Sequence, residues 1–428
     1  MREAKKKKKA PLGWRITKRV IGVLLILIFA GVAAVGALLG FLTLREYNPA
    51  DTLEVEVDGE GTKTAKIGEP MTVLTFNTGY GGLDADQDFF MDGGSGVNAQ
   101  SEEQVMGNLE GIAGIIREAN ADVVFLQEVD MDSDRTKNIN EAEFYYSLMD
   151  DDNHAYATNY RCDFIPYPLP PLGKMESGVV TLNRFGVTFA ERIALPTTYK
   201  WPVRVAQLKR CLLLERVPIE GTDRELVLVN LHLEAYDDGD AKIAQTQLLA
   251  NVLNSEYEKG NYCIAGGDFN QSLPSVDTSL YPVINDENFK AGMVDGSLFG
   301  EGWNFPADDS VPTARLLNQP YDPSDAATQY YMLDGFITSP NVRVESVTTL
   351  DEGFTYSDHN PMLLQVTLLG TAGSGSDEGS TDHAGADESG TDESGDGSGA
   401  DAKNSEAAGD ADAGDDSSAS DETKGGSQ

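Results

Sequence analysis

The chain has 428 residues and carries 32 Lys and Arg against 70 Asp and Glu, a net charge of -38 at pH 7. The acidity is not confined to one end, because residues 51–370 alone hold 20 basic and 52 acidic side chains. This balance argues against a broad nucleic-acid-binding face of clustered Lys and Arg, but it leaves room for a small anion site assisted by metal ions. Only three cysteines occur, none in a CxxC pair, which excludes zinc-finger, thioredoxin-like and disulfide-stapled scaffolds.

An uncharged segment near the N-terminus predicts a membrane anchor. Residues 20–44 contain no charged side chain, and at about 1.5 Å per residue this length crosses a hydrocarbon core of about 30 Å. A cleaved signal peptide is the alternative, but its apolar region is shorter, and no clear A-x-A cleavage site follows here. The basic residues of segment 1–19 place the N-terminus in the cytoplasm by the positive-inside rule. We therefore expect a single-pass protein of the cell membrane, with everything after residue 45 extracytoplasmic.

The remaining chain divides into three parts by composition. Residues 45–70 are expected to be an extracytoplasmic linker, and residues 71–369 to form one large folded domain. Residues 370–428 form an acidic tail rich in Gly, Ser and Asp. After residue 370 the tail contains no Leu, Ile, Val, Phe, Met, Trp or Tyr, so it cannot bury enough apolar surface to offset the entropy of ordering. The tail is predicted to be disordered.

The pattern of the folded domain is that of an α/β protein. A helix opens at Ser101, with Gln104 as its capping-box partner and Val105 and Leu109 at helical spacing. A second helix carries Ile243, Leu248, Val252 and Leu253 and ends near Gly260. Apolar runs predict strands at 71–77, 121–129, 177–182, 210–217, 226–233, 261–270, 334–339 and 361–369. Direct steps between strands, mixed with helical crossovers, indicate mixed sheets with helices outside.

Polar side chains recur where these apolar strands begin or end, which is where open α/β folds bind ligands. His232 and Asn230 are two residues apart and so share one face of their strand. Each position alone is more typical of an Asx turn, a helix cap or a buried core histidine. The recurring set indicates a site, and its other members are Asn77, Glu128, Asp268, Asn270, Asp334, Asp358 and His359.

The chemistry that suits these groups is metal-assisted hydrolysis of phosphate esters. Carboxylate and amide oxygens are hard ligands, so Mg²⁺, or else Mn²⁺ or Ca²⁺, fits them better than Zn²⁺. The metal would neutralise phosphate charge while a carboxylate or an imidazole activates water for in-line attack. Bound cations also explain how so acidic a domain accepts an anion.

The motifs FNTGYG, LQEVD, ESGVVTLNR, VNLHLEA, GGDFN, LDGFITS and YSDHNP, in this order, resemble those of the endonuclease/exonuclease/phosphatase superfamily. The resemblance covers residues 71–369, which it identifies as a catalytic domain. It implies a four-layer sandwich of two mixed β-sheets flanked by helices. It also implies hydrolysis at a metal-bound phosphate. One departure is a long insert, residues 84–100, between the first strand and its helix.

The resemblance assigns metal ligands residue by residue. Asn77 and Glu128 would hold the main metal ion, with Asp358 contributing. Asp268 and Asn270 would form a second metal or phosphate subsite.

The same resemblance assigns the catalytic groups. Asp268 would orient or activate the attacking water, with Asn270 beside it. His232 would contact the phosphate as an acid or stabiliser, Asp334 would support an imidazole, and His359 would be the other catalytic imidazole. Glu176 matches a glutamate that orients a histidine. Which histidine acts as the base stays open.

The substrate is not fixed by these motifs. A phosphodiesterase or phosphatase acting on a small molecule or a lipid head group and an extracellular nuclease both use this fold, and a non-catalytic surface scaffold is the third alternative. The Pro-rich segment 161–174 is either an idle surface loop or a rim that faces a pocket or lipid. The expected partners are a phosphate-ester substrate and the membrane, and no protein partner is predicted.

Overall fold

The computed structural model describes residues 11–148, 152–237 and 239–370. The first ten residues of the basic segment and the predicted disordered tail after residue 370 lie outside the described residues. The helices are α1 Leu12–Leu44, α2 Glu102–Ala119, α3 Glu141–Tyr146 and α4 Asp240–Glu258. The strands are β1 Thr52–Glu54, β2 Val57–Asp58, β3 Pro70–Asn77, β4 Val123–Asp130, β5 Asn153–Ile165, β6 Gly173–Asn183, β7 Phe189–Ala194, β8 Cys211–Pro218, β9 Glu225–His232, β10 Tyr262–Asp268, β11 Gln271–Ser272, β12 Gly292–Met293, β13 Ala314–Arg315, β14 Tyr330–Tyr331, β15 Asp334–Thr338, β16 Val342–Thr349 and β17 Met362–Leu368.

Two large mixed sheets form the body of the protein. One has six strands in the order β1-β7-β8-β9-β10-β15, and the other has seven in the order β16-β17-β3-β4-β6-β5-β2. In each sheet one central pair is parallel, β9 with β10 and β3 with β4, and the remaining neighbours are antiparallel. The parallel pairs result from the crossovers through α2 and α4, as the mixed strand and helix pattern predicts.

The two sheets pack face to face, with helices on the outside. Apolar residues of both sheets meet between them, for example Phe125 of β4 with Ile264 of β10. The outer face of the seven-stranded sheet packs against α2, and the outer face of the six-stranded sheet packs against α4. The predicted four-layer sandwich of two mixed sheets flanked by helices is thus confirmed.

Helix α2 matches its sequence signals closely. The Ser101 side chain accepts a hydrogen bond from the backbone N–H of Gln104 at 3.2 Å, and the Gln104 side chain accepts one from the backbone of Gln100 at 2.8 Å. Val105 and Leu109 are fully buried against the sheet. The capping prediction is confirmed, with the return bond shifted by one residue.

Helix α4 differs from its prediction in the face that it buries. Ile243 is exposed, whereas Gln245 and Leu249 are buried. Gln245 is buried because its side chain accepts a hydrogen bond from the backbone of Glu234 and donates one to the backbone of Pro196. Apolar periodicity alone does not predict that a polar residue is buried by hydrogen bonds to the backbone of two loops.

The segment 45–70, expected to be a linker, is part of the fold. Strand β1 pairs with β7 at the edge of one sheet, and β2 pairs with β5 at the edge of the other. Strands β5, β7 and β16 were also absent from the prediction. The burial of β5 alternates, but small and polar residues carry the alternation, so the strand lacks the apolar signal of the core strands.

The N-terminal helix α1 begins at Leu12, eight residues before the uncharged segment, and is long and apolar enough to cross a membrane. Within the described residues it is the one helix with this property. Its position near the N-terminus is compatible with a membrane span or with a signal sequence. The three cysteines are free and buried, as expected of small apolar residues.

Candidate active site

The residues singled out at the strand ends meet at one edge of the sandwich. His232 ends β9 and Asp268 ends the neighbouring parallel strand β10, and the two residues are paired in register. Asp334 begins β15 directly opposite Asp268. Asn77 ends β3 in the other sheet. All four are buried, so the site lies in the crevice between the two sheets.

Asn77 links the two sheets at this point. Its Nδ2 lies 3.0 Å from Asp268 Oδ2, 3.3 Å from Glu128 Oε1 and 3.4 Å from His359 Nε2. Its Oδ1 accepts a hydrogen bond from the backbone of Gly79 at 3.1 Å. A Cβ on Gly79 would lie 2.8 Å from Asp358 Oδ1, so glycine is required for the chain to pass this carboxylate.

Glu128 reaches the site through an irregularity in its strand. The pairing of β4 with β6 shifts between Leu126 and Val129, and Glu128 has a φ of 56°. Such a bulge redirects a side chain and costs on the order of 1–3 kcal/mol of backbone strain in a residue other than glycine. The strained backbone directs the Glu128 carboxylate toward Asn77. Strain of this kind is common at functional sites.

His359 is held by Asp334. Its Nδ1 lies 2.8 Å from Asp334 Oδ2, while its Nε2 lies 3.8 Å from Asp268 Oδ2 and 4.0 Å from Asp358 Oδ2. Burial by itself lowers the pKa of His359, but the charge and hydrogen bond of Asp334 outweigh it and hold that pKa well above the usual value. The His359 ring is therefore an imidazolium whose Nε2 faces two further carboxylates.

His232 is in the opposite electrostatic situation. Its Nε2 lies 3.3 Å from Asp268 Oδ2, and its Nδ1 has no hydrogen-bond partner among the described residues. Burial, together with the positive charges of Arg210 and His359, lowers the pKa of His232 well below its usual value. The site thus contains one charged and one neutral imidazole on either side of Asp268.

Two carboxyls of the site, Asp268 and Asp358, ionise less readily than exposed aspartates. Burial raises the pKa of Asp268 to about 6, with a further contribution from the neighbouring charge of Asp334. Burial also raises the pKa of Asp358 to about 7, and the charges of Glu128 and Asp92 add to that shift. Closely spaced, dehydrated carboxylates of this kind attract a cation strongly.

The donor set fits a hard divalent cation. Glu128 and Asp358 carry carboxylate oxygens and Asn77 an amide oxygen, the ligand types of Mg²⁺ and Mn²⁺. The Asn77 oxygen accepts a hydrogen bond from Gly79, and its Nδ2 faces Glu128 and Asp268. In the described residues no group of three or more His, Cys, Asp or Glu side chains is placed so that it could hold a metal ion. The fit therefore rests on the chemistry of the donors and on the raised pKa of the Asp358 carboxyl.

Asn270 lies directly behind Asp268. Its backbone N–H donates to Asp268 Oδ1 at 2.8 Å, and its side-chain Nδ2 donates to the backbone carbonyl of Leu233 at 2.9 Å. Asn270 has a φ of 50°, a conformation that Asn tolerates better than most residues. These contacts fix the orientation of the Asp268 carboxylate.

Glu176 is not joined to this cluster. It lies on β6 opposite Arg161, and its carboxylate is 3.8 Å from the guanidinium of that residue. In the part of the chain that the structure describes, no hydrogen bond connects Glu176 to a histidine, and Asp334 makes that contact instead. Asp334 of β15 thus orients His359, while no carboxylate among the described residues is bonded to Nδ1 of His232.

Several charged residues at the site were not predicted. Asp92, in the long insert, is buried and accepts a hydrogen bond from the hydroxyl of Tyr236 at 2.8 Å. Arg315 is buried and donates through its backbone N–H to the carbonyl of Asp358 at 3.1 Å. Arg210 donates to the backbone carbonyl of His232 at 3.3 Å. Single charged residues in loops carry no periodicity, so no sequence pattern marks these positions.

Comparison with known proteins supports the motif resemblance at the level of the sequence. The sequence model of the Endonuclease/Exonuclease/phosphatase family matches residues 74–359. This range includes every residue of the site from Asn77 to His359. A search among curated proteins found no match.

Solved structures give distant likenesses. An endonuclease/exonuclease/phosphatase from Beutenbergia cavernae is 15% identical with a TM-score of 0.49, covering 70% of this chain and 72% of that chain. A family protein from Leptotrichia buccalis is 15% identical with a TM-score of 0.46, and the match covers 70% of this chain and 100% of that chain. The human Nocturnin catalytic domain with bound sulfate is 16% identical with a TM-score of 0.42, covering 73% and 97%. At these identities and TM-scores, the three structures do not indicate the activity of this chain. Because the family match spans more than half of its 428 residues, the chain belongs to the endonuclease/exonuclease/phosphatase family.

Proposed function

We propose that the protein is a membrane-anchored, extracytoplasmic, metal-dependent hydrolase of phosphate esters. Family membership supports hydrolysis of phosphoesters in general. The observation that carries the proposal is the meeting of Asn77, Asp268 and His359 within 3.0–3.8 Å of one another although they come from distant parts of the chain. Burying the carboxylates of Asp268, Asp334 and Asp358 beside these residues is costly, and such arrangements are concentrated at functional sites.

Asn77, Glu128 and Asp358 would hold a Mg²⁺ or Mn²⁺ ion, with Asp268 and Asn270 forming a second metal or phosphate subsite. When bound, the cation would neutralise phosphate charge and stabilise the leaving oxygen. The strained backbone of Glu128 and the glycine beside Asp358 keep these oxygens in place before the substrate arrives.

Asp268 is suited to orient and deprotonate water. Its raised pKa of about 6 leaves it ionised at neutral pH and makes it a stronger base than an exposed aspartate. The hydrogen bond from the backbone of Asn270 fixes one carboxylate oxygen, and the other oxygen faces both imidazoles. A water molecule bound there would be aligned for in-line attack.

The two imidazoles take different parts. His359, charged and oriented by Asp334, donates a hydrogen bond or proton to phosphate oxygen from Nε2. His232 is neutral and positions the Asp268 carboxylate or contacts the phosphate through Nε2. In this proposal the base is Asp268, with His359 as the acid.

Localisation rests on α1 and on the basic residues that precede the uncharged segment. An uncleaved span, with the basic residues in the cytoplasm, places the catalytic domain outside the cell. A nuclease and a phosphodiesterase of small molecules or lipids share the same site chemistry, so the substrate has to be found by assay.

The test is hydrolysis by the purified full-length chain in detergent. The panel contains plasmid DNA, RNA, sphingomyelin, a phosphoinositide and a bis-aryl phosphodiester, each with Mg²⁺, Mn²⁺, Ca²⁺ or EDTA. Asp268→Ala is the active-site variant, and Asp223→Asn is the matched control because that carboxylate is 93% exposed at a distant turn. We expect a substrate whose hydrolysis is lost with EDTA and in Asp268→Ala but retained in Asp223→Asn. Equal activity in all three proteins would refute the assigned site, and no hydrolysis together with no metal binding would favour a scaffold.

A further inference from the structure

The C-terminal end of α1 is packed against the catalytic domain. Leu42 is buried in a cluster with Ile165, Leu172 and Val205. Polar contacts continue this interface, since Arg45 pairs with Asp163 at 2.6 Å. The helix is therefore docked on the domain and not tethered to it by a free linker.

The docking surface lies at the same edge of the sandwich as the active site. Strand β6 starts at this edge, because its Ser177 pairs with Asp130 at the carboxyl end of β4. Strand β8 also starts there, because its Leu212 pairs with Leu231 at the carboxyl end of β9. The tip of the β5–β6 hairpin and the segment before β8 thus project past the edge where the catalytic residues meet.

These two segments expose large apolar side chains around the end of α1. We call this set the membrane-side patch, and its members are Phe164, Tyr167, Leu169, Trp201 and Val203. Leu169 is 87% exposed, Tyr167 69% and Trp201 57%. The indole N–H of Trp201 donates to Thr43 Oγ1 in the last turn of α1 at 3.1 Å. The patch is thus continuous with the apolar surface of α1.

The charge and residue types of the patch match a lipid surface. Residues 197–210 contain four basic and no acidic side chains. Arg210 is buried and Lys209 largely so, which leaves Lys200 and Arg204 exposed. Glu46 pairs with Arg204 and Lys209 and offsets only part of this charge. Trp and Tyr next to Lys and Arg are typical of the boundary between hydrocarbon and water in membrane proteins.

We propose that the membrane-side patch seats in the head-group region of the bilayer and holds the catalytic edge toward the lipid surface. The inference rests on the proposed membrane span of α1. An exposed apolar patch on a soluble surface would be a liability, whereas at the exit of a membrane helix it meets lipid. The hydrogen bond of Trp201 and the burial of Leu42 fix the distance between the span and the patch.

The test places an environment-sensitive fluorophore on the full-length chain in lipid vesicles. Leu169→Cys carries the NBD label in the patch, and Ile67→Cys, 39% exposed where β3 begins at the opposite edge, is the matched control. The unaltered chain controls for labelling, because its three cysteines are buried. Vesicles contain phosphatidylcholine with phosphatidylglycerol, with and without a nitroxide lipid labelled near the head group.

We expect blue-shifted emission at position 169 that the nitroxide lipid quenches, and aqueous, unquenched emission at position 67. Equal, unquenched emission at both positions would overturn the proposal. A blue shift at position 169 without quenching would assign the patch to a protein contact, which would overturn it as well. Emission does not depend on catalysis, and flotation with the vesicles tests the membrane span separately. Failure of the patch proposal can therefore be distinguished from failure of the proposed function.

A second readout uses the double variant Tyr167→Ser with Leu169→Ser, which removes apolar contact without touching the site. Hydrolysis of a phosphodiester carried by lipid should fall by about tenfold, because the lost apolar burial weakens docking. Hydrolysis of the soluble bis-aryl phosphodiester should be unchanged. An equal fall for both substrates would mean that the patch supports the fold and does not dock on lipid.

Discussion

Two buried charged clusters lie near the carboxyl end of β4, and they differ in how their charges are compensated. In the closed cluster, Arg135 donates two hydrogen bonds to Asp130, at 2.8 and 2.9 Å, and Thr136 donates a third at 3.2 Å. Glu141 accepts from the backbone of Asp130 at 2.9 Å. The buried Asp130 carboxylate is thus matched by a fork of donors. Burial holds the pKa of Glu141 well above its usual value, and Glu141 Oε1 has no hydrogen-bond partner among the described residues.

The open cluster is the candidate active site. It contains the carboxylates of Glu128, Asp268, Asp334 and Asp358, with the charged ring of His359 as the cation among them. Asp334 Oδ1 and His232 Nδ1 have no hydrogen-bond partner among the described residues. We expect the closed cluster to contribute to folding and the open one to bind a ligand that supplies the missing charge.

The largest effect expected from the open cluster is loss of catalysis without loss of fold. Asp268→Asn removes the proposed base and should lower kcat/KM by roughly 10³-fold or more, as general-base and electrostatic contributions of this kind do. The thermal unfolding midpoint should change little, because Asn keeps the hydrogen bond with Asn270. Initial rates and thermal unfolding measured on the same preparation check both parts. A large fall in the midpoint would assign Asp268 to folding instead.

The closed cluster should show the reverse behaviour. Arg135→Met leaves Asp130 buried and unpaired, which should lower the free energy of unfolding by about 3–5 kcal/mol. The control is Arg343→Met, which breaks an exposed pair with Glu345 and should cost no more than about 1 kcal/mol. Urea unfolding of the two variants measures the difference. Similar values for both would remove the distinction between the clusters.

A buried carboxyl outside both clusters should make stability depend on pH. Burial raises the pKa of Glu215 to about 7 from 4.5, partly offset by its hydrogen bond from Asn183. The folded state then binds a proton more tightly than the unfolded state, so stability falls as pH rises from about 4.5 to 7 and levels off above that. The loss amounts to about 3 kcal/mol. The free energy of unfolding of the native chain and of Glu215→Gln is measured in urea at each pH, and the difference between the two isolates this loss. A difference that does not change with pH would contradict the assignment.

The partner of His359 is open to a direct spectroscopic test. In Asp334→Asn the carboxylate charge that holds the His359 pKa high is lost, so that pKa should fall, and kcat should drop by roughly 10²-fold as proton donation weakens. Titration of the imidazole by NMR follows the pKa. Glu176→Gln, which changes the other carboxylate that the motif resemblance assigned to a histidine, should leave the His359 titration in place. A shift in Glu176→Gln and none in Asp334→Asn would reverse the assignment.

Much of the open cluster could be predicted because its members stand at the ends of strongly apolar strands. The strand and its terminal residue are both visible for Asn77, His232 and Asp268, and parallel neighbours bring their carboxyl ends together. The same reasoning gave the two mixed sheets with outer helices. Local patterns were enough wherever a residue's position follows from the direction of its own strand.

The remaining parts depend on contacts between distant segments. The bulge that redirects Glu128 is a pairing irregularity between β4 and β6, and no residue pattern in β4 alone reveals it. Arg315 and Asp92 reach the site from loops whose paths are set by tertiary packing. Edge strands such as β1 and β2 are short and mostly exposed, so they lack the apolar signal that identifies a core strand.

The central claim is that the open cluster is completed by a divalent cation, and metal dependence of the rate tests it most directly. The full-length chain, its Asp358→Asn variant and the Asp223→Asn control are stripped with EDTA, and hydrolysis of the bis-aryl phosphodiester is followed as Mn²⁺ is added. We expect no activity without metal, saturable recovery in the native chain and in Asp223→Asn, and a need for at least about tenfold more Mn²⁺ in Asp358→Asn. Full activity after EDTA treatment, or the same Mn²⁺ dependence in all three proteins, would contradict the claim.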